Sequence, residues 1–193
     1  MKNTLLCSGK VFLLFLFIGF ISCKKNSKPT PLDISGVLYT DNLGNKIGSY
    51  GNPAGDWTFS TTLSAQEISL LEFVDSLDMT GTVEVSNPKI FPVYPNPSSN
   101  YMSFSGQFGL SSQLTKLKVV IVDPFYNIAV RDALIINGGN QQFFFSVANR
   151  QVFQPRGIYR IYYSLSAKDK PNYKMGYGDI QVCPGYITTP NCP

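Results

Sequence analysis

What most constrains this 193-residue chain is a train of short alternating apolar segments, each stopped by Gly, Pro, Asn or Asp. Gly157 to Ala167 shows the pattern best, with Tyr159, Ile161, Tyr163 and Leu165 on one side and Arg160, Tyr162 and Ser164 on the other. A period of two marks a strand, because successive side chains point to opposite faces of a sheet. The same reading places strands at Tyr101 to Ser105, where Met102 and Phe104 point one way, and at Leu117 to Asp123, Ile128 to Ile136, Gln141 to Val147 and Tyr173 to Val182. In Leu117 to Asp123 both faces are apolar, Leu117, Val119 and Ile121 on one and Val120 and Val122 on the other. Turns are expected at Asp123 to Asn127, Asn137 to Asn140 and Lys168 to Asn172. Six strands in about 85 residues predict an all-β domain built as a sandwich of two sheets.

Upstream, Ile34 to Thr40 predicts a strand and Asp41 to Asn45 a hairpin turn, since Asn, Asp and Gly tolerate positive φ. Asp41, Asn42 and Asn45 lack the later glutamate of a calcium loop, so the turn is the reading kept. Gly48 to Asp56 is taken as loop, and Trp57 to Leu63 as a strand burying Trp57 and Phe59. Ser64 and Glu67 form a capping-box pattern ahead of Ile68, Leu71 and Val74, which predicts a short helix over about Ala65 to Val74. Glu67, Glu72, Asp75 and Asp78 are expected on its wet side. Gly81 to Ser86 alternates as another strand, and Pro88, Pro92, Pro95 and Pro97 then mark an extended connector or edge segment. The organisation expected is therefore 32–87, an acidic region of strands plus one short helix, and 88–183, the sandwich.

Charge is uneven between these pieces. Pro29 to Asn87 holds eight acids and one base (−8 + 1 = −7), and Pro88 to the end holds ten bases and four acids (+10 − 4 = +6). Such asymmetry fits two pieces that dock on each other, a basic face for an anionic glycan or lipid, or plain solvated charge. The basic-face reading singles out Arg156, Arg160, Tyr162, Lys168, Lys170 and Tyr173 as a candidate ligand surface, because aromatics beside basic groups suit sugars. The alternative is that these tyrosines are half-buried sheet residues. Nucleic acid is not an expected partner.

Histidine is absent, which removes Ser-His and Cys-His nucleophilic schemes and His-ligated metal sites. No phosphate-binding glycine loop is present, and Gly176-Tyr177-Gly178 is a turn-like fragment. The expectation is a non-enzymatic protein with no catalytic residue, no metal and no cofactor.

The N-terminus is a leader in three parts. Lys2 and Lys10 precede the apolar run Val11 to Ile21, which is about half the roughly 20 residues a membrane span needs and matches a signal-peptide core. The run closes on Phe20-Ile21-Ser22-Cys23, which resembles a lipoprotein signal-peptidase site, with Phe20 where Leu is usual. The resemblance implies a bacterial lipoprotein with signal peptide 1–22, a lipidated tether 23–31, and acyl chains on Cys23. Two or more chains are what stable anchoring requires. It also implies an outer-membrane lipoprotein, facing the periplasm or the cell surface. The segment Lys24 to Lys28 lacks an acidic run, which leans towards the periplasm. In such an oxidising compartment Cys183 and Cys192 are expected to pair, closing a tail at 184–193 in a ring worth about 2.5–3 kcal/mol by loop entropy.

The second half resembles the C-terminal sorting domain of type nine secretion cargo. Val93 to Phe104, with Pro95-Asn96-Pro97 leading into a strand, is similar to that domain's opening. Leu117 to Val130 is similar to its next hairpin, Pro155 to Tyr163 to its Gly-x-Tyr strand, and Asp179 to Val182 falls where its last strand does. Asn127 stands where Gly is usual. The resemblance implies an immunoglobulin-like β-sandwich and recognition by secretion machinery. The functional expectation is a lipid-anchored binding or scaffolding module whose partner is an envelope protein or an anionic glycan. The alternative is secretion cargo carrying a sorting domain. Asp75-Ser76-Leu77 resembles an acceptor of bacterial protein O-glycosylation, which implies a sugar on Ser76.

Overall fold

A computed structural model describes residues 30–59, 62–110, 112–149 and 151–183. In chain order the elements are β1 (Gly36–Thr40), β2 (Lys46–Gly51), β3 (Thr58–Phe59), α1 (Ala65–Leu71), β4 (Lys89–Tyr94), β5 (Tyr101–Gln107), β6 (Leu114–Val122), β7 (Ile128–Asn137), β8 (Asn140–Ser146), β9 (Ile158–Ala167) and β10 (Lys170–Gln181). The strands form a hairpin β1-β2, a five-stranded sheet β3-β10-β9-β6-β7 and a three-stranded sheet β4-β5-β8, with antiparallel pairing throughout. The fold is all-β, an immunoglobulin-like sandwich preceded by a strand-rich region with one short helix.

Between the two sheets lies the main core. Met102, Phe104, Ile90 and Val93 from the small sheet meet Leu117, Ile121, Ile161, Tyr163, Leu165 and Ile180 from the large one. A second core lies on the far side of the large sheet, where Val120, Val122 and Tyr162 are covered by Leu63, Leu70 and Leu71 of the helical segment and by Leu32. This is the physical reason for the doubly apolar strand Leu117 to Asp123, since β6 has protein on both faces. Leu71 is fully buried there, worth about 1.5–3 kcal/mol by area removed from water.

The described residues from Pro31 onwards form a single unit. The acidic region and the sandwich share it: β3 is an edge strand of the large sheet, and Trp57 belongs to the main core.

Local structure departs from the sequence expectation at several points. Of the strand expected at Trp57 to Leu63, the described residues show Thr58–Phe59, and Trp57 stays outside it because it sits at φ 60° and turns the chain, its amide donating to Tyr177 O at 2.8 Å. Gly48 to Asp56, expected as loop, supplies four of the six residues of β2. Gly81 to Ser86 makes only a bridge, Thr82 beside Leu114. The proline segment supplies β4 as an edge strand, with a register shift between Phe91 and Tyr94 that accommodates Pro92.

The capping box at Ser64 and Glu67 is present, but α1 stops at Leu71. Lys118 Nζ donates to Leu71 O at 3.3 Å and Phe73 O at 2.7 Å, meeting carbonyls that a longer helix would have paired. Phe73 then turns back over the sheet, 4.6 Å from the Lys118 ammonium, and leaves Val74 98% exposed.

Two turns use one device. Asp41 Oδ1 accepts from the amides of Leu43 and Asn45 while Asn45 Nδ2 donates to Oδ2, and Asp123 does the same with Phe125 and Asn127. Gly44 holds the positive-φ position in the first turn and Tyr126 holds it in the second, at φ 82° and 65°. Tyr126 adopts that conformation while its ring packs on the second core.

Candidate functional site

The surface proposed from sequence does not assemble. Arg160 and Tyr162 are 7% and 0% exposed, on the face of β9 that lies under the segment 32–71. Tyr173 is half-buried, and its hydroxyl accepts from the Val85 amide at 2.8 Å. Arg156 and Lys168 are exposed in turns on either side of β9, and Lys170 at the start of β10 is ion-paired with Glu84. Alternation told which face of β9 carries Arg160 and Tyr162, but not that a second layer covers that face.

Those buried groups serve the fold. Arg160 grips Asp179 with two bonds, Nε to Oδ1 at 2.7 Å and Nη2 to Oδ2 at 2.8 Å. Its guanidinium lies 4.2 Å from the Tyr177 ring and donates to Asp33 O at 3.2 Å. Burial alone would lower the Arg160 pKa, but the bonds and charge of Asp179 outweigh it, so the pKa rises. Tyr162 donates to Glu67 Oε1 at 2.6 Å. Burial works to raise the Glu67 pKa, and the bonds from Tyr162 and Ser64 overcome it, holding this carboxylate below its usual range. Lys116 binds Asp75 at 2.6 Å and Lys118 approaches the same carboxylate at 3.4 Å. The acidic segment thus docks on a basic row of β6 and β9. Glu67 and Asp75, expected on a wet helix side, are consumed by that docking.

Asp56 is the misfit in this layer. Its Oδ2 accepts from the Asp179 amide at 3.3 Å, yet burial, and then the nearby Asp179 carboxylate, push its pKa up to about 7. It borders a cleft of about 590 Å³ with Lys46, Asn52 and Trp57. Trp57 packs against Phe104, and its Nε1 is the one buried side-chain donor without a partner among the described residues.

The surface that remains open is the outer face of the three-stranded sheet. Met102 and Phe104 of β5 point into the core, so Tyr101, Ser103 and Ser105 point out. On β4 the irregularity around Pro92 puts both Phe91 and Tyr94 on that side, with Val93 turned in. On β8, Phe143 and Phe145 pack on the core, while Gln142, Phe144 and Ser146 face away. Register sets Tyr94, Ser103 and Phe144 in one row and Phe91, Ser105 and Gln142 in the next. Gln142 Nε2 donates to Tyr94 Oη and Ser103 Oγ, both at 2.8 Å. Phe144, Tyr101 and Phe91 are 70%, 57% and 43% exposed. Sequence reasoning missed this face. The run Phe143-Phe144-Phe145 hides which ring is outside, and the prolines obscured β4.

At the open edge between β7 and β8 lies an apolar groove of about 430 Å³, lined by Val119, Val130, Leu134, Phe143 and Phe145. Ser76 is exposed in a bend after Asp75. Cys183 is buried at 4% exposure; Cys23, Cys192, the leader 1–22 and the tail 184–193 lie outside the described residues. Among the described residues no helix is long and apolar enough to cross a membrane.

No protein-family model matches this chain, and no curated protein matches it. Among solved structures it is similar to the sensor domain of the anti-sigma factor RsgI4 in Pseudobacteroides cellulosolvens, at 9% identity and a TM-score of 0.34, covering 53% of this chain and 98% of that one. It is also similar to the CARDB domain of the PF1109 protein, in complex with di-metal ions, from Pyrococcus furiosus, at 14% identity and a TM-score of 0.30, covering 56% and 99%.

Proposed function

We propose that this protein is a lipid-anchored, non-enzymatic binding module of the cell envelope, tethered at an outer membrane through Cys23. The observation that carries the binding role is the uncovered sheet face, where Phe91, Tyr101 and Phe144 stay exposed although the other sheet is covered on both sides. Exposed aromatic clusters of this kind are typical of interaction surfaces. The anchor rests on the leader Val11 to Ile21 and the Ser22-Cys23 site. Eight residues lie between Cys23 and Leu32, the first buried core residue among the described residues, and these nine steps reach about 30 Å when fully extended. In that compartment Cys183 pairs with Cys192, and Ser76 is an accessible sugar acceptor.

The alternative, secretion cargo carrying a type nine sorting domain, rests on the resemblance of residues 88–183. What weighs against it is the interdependence of that segment with residues 32–87, which bury Val120, Val122 and Tyr162. A portable sorting domain needs a face of its own.

The test is metabolic labelling with a fatty acid, membrane fractionation and protease shaving of intact cells, for the wild type and Cys23→Ala. Label and membrane association confined to the wild type are expected. A Cys23→Ala protein that fractionates identically sinks the anchor. Surface display that survives Cys23→Ala but disappears from cells lacking the type nine machinery favours the cargo reading. Intact mass without added sugar removes Ser76.

A further inference from the structure

We propose that the outer face of the three-stranded sheet is a binding platform for a neutral glycan chain. The inference rests on the reading of that face as the binding surface, and its grounds are the composition and grid of the side chains there.

The rings come first. Phe144, exposed, and Tyr94, half-buried with Gly44 of the β1–β2 turn against its ring, flank Ser103 in one cross-strand row, two strand spacings apart, or about 10 Å. That is about the length of a disaccharide. Tyr101 lies about 7 Å along the strand from Ser103, and Phe91 opens the adjoining row beside Ser105. Pyranose rings present patches of C–H bonds that pack on aromatic faces, so rings at such intervals contact successive sugars.

The groups between the rings come second. They are Ser105, Ser146 and Gln142, hydroxyls and an amide that can donate and accept at once, while Ser103 beneath them is buried and bonded to Gln142. Sugar hydroxyls require that pairing. Gln142 is already held by Tyr94 and Ser103, with its carbonyl oxygen free to accept from a ligand.

Charge decides the class of glycan. The outward positions of β4, β5 and β8 include no acid and a single base, Lys89, at the far end of β4. The arginine and lysines that made an anionic glycan attractive lie elsewhere, with Arg160 buried against Asp179 and Lys170 tied to Glu84.

The experiment is affinity electrophoresis of the detergent-solubilised full chain in native gels holding neutral polysaccharides (a mixed-linkage β-glucan, a xyloglucan, a galactomannan, an α-glucan) or anionic polygalacturonate. At least one neutral gel should retard the protein. Phe144→Ala and Tyr101→Ala should each weaken that retardation about tenfold, and 0.5 M salt should leave it unchanged. Lys168→Ala, away from the face, serves as the control and should behave as the wild type. Thermal unfolding of each variant establishes that it is folded. No retardation in any neutral gel overturns the proposal, as does retardation by polygalacturonate alone. Self-association abolished by Phe144→Ala also overturns the glycan while leaving the face a binding surface. Loss of the Cys23 anchor is scored separately by fractionation.

Discussion

Every residue of β9 after Ile158 is buried, whereas β8 alternates between half-buried and exposed along its length. Both strands are built from aromatic, aliphatic and polar residues with no charge but Arg160, so their sequences look alike in kind. The difference is what covers them. β9 sits mid-sheet with the small sheet on one side and the segment 32–71 on the other. β8 is the edge of a sheet covered on one face only. Charge placed on the doubly covered sheet must be paired to be tolerated there. Arg160 is therefore paired with Asp179 beside it on β10, and Lys116 and Lys118 act as docking points for Asp75. Aromatics on the singly covered sheet stay in water, where only contact with something else gives them a use.

If that contrast holds, the strongest effect belongs to Arg160. Arg160→Ala strands the Asp179 carboxylate, which is 1% exposed, and a half-broken buried pair costs about 3–5 kcal/mol. Denaturant unfolding should show a large fall in midpoint. A loss under 1 kcal/mol would mean that the layer over β9 opens readily to water.

Tyr162→Phe comes next. It removes one bond to an ionised acceptor and keeps the ring, so the expected loss is about 1.5–3 kcal/mol. As pH falls through the lowered folded pKa of Glu67 and this carboxylate takes up its proton, the difference between the two proteins should shrink.

Asp56 behaves oppositely to Glu67. Its folded pKa of about 7 lies above the ordinary carboxylate value, so the folded state binds the extra proton. Asp56 therefore opposes folding only when ionised. Its share of stability is fully present below pH 4 and is lost as pH rises towards 7. Asp56→Asn should flatten the stability profile between pH 4 and pH 8. At the upper end it should gain about 1–2 kcal/mol, solvent having screened part of the shift. A variant that tracks the wild type across this range would show that Asp56 keeps an ordinary carboxylate pKa.

Much of this architecture was legible in the chain. Alternation in Gly157 to Ala167, the turn residues Asp123 and Asn127, and the cap at Ser64 and Glu67 each act within a few residues, so local chemistry determines them. Docking was one of three readings open to the opposite charges of the two segments, and Asp75 with Lys116 is where it happens. What was hidden depends on distant chain. Nothing near Tyr162 in sequence tells that Leu70 and Leu71, some ninety positions earlier, will close over it. Nor could the helix end be seen, since Lys118 provides the stop at Leu71. The Phe143-Phe144-Phe145 run was ambiguous because all three rings are apolar, and only the partner sheet decides which two turn in.

Phe144 gives the smallest stability effect and the sharpest test of the contrast. At 70% exposure it has little area left to lose, so Phe144→Ala should move unfolding by no more than about 0.5 kcal/mol. Phe143→Ala, one position away and packed on the core, should cost several times more, because it opens a cavity as well as losing transfer energy. Measured side by side by thermal unfolding, the pair asks whether β8 truly has a dry side and a wet one. Equal losses would mean that Phe144 is covered in solution, and the aromatic face would then be part of an interior rather than a platform. Unequal losses, with binding removed by the mutation that costs no stability, are what separates a ring kept for contact from a ring kept for the fold.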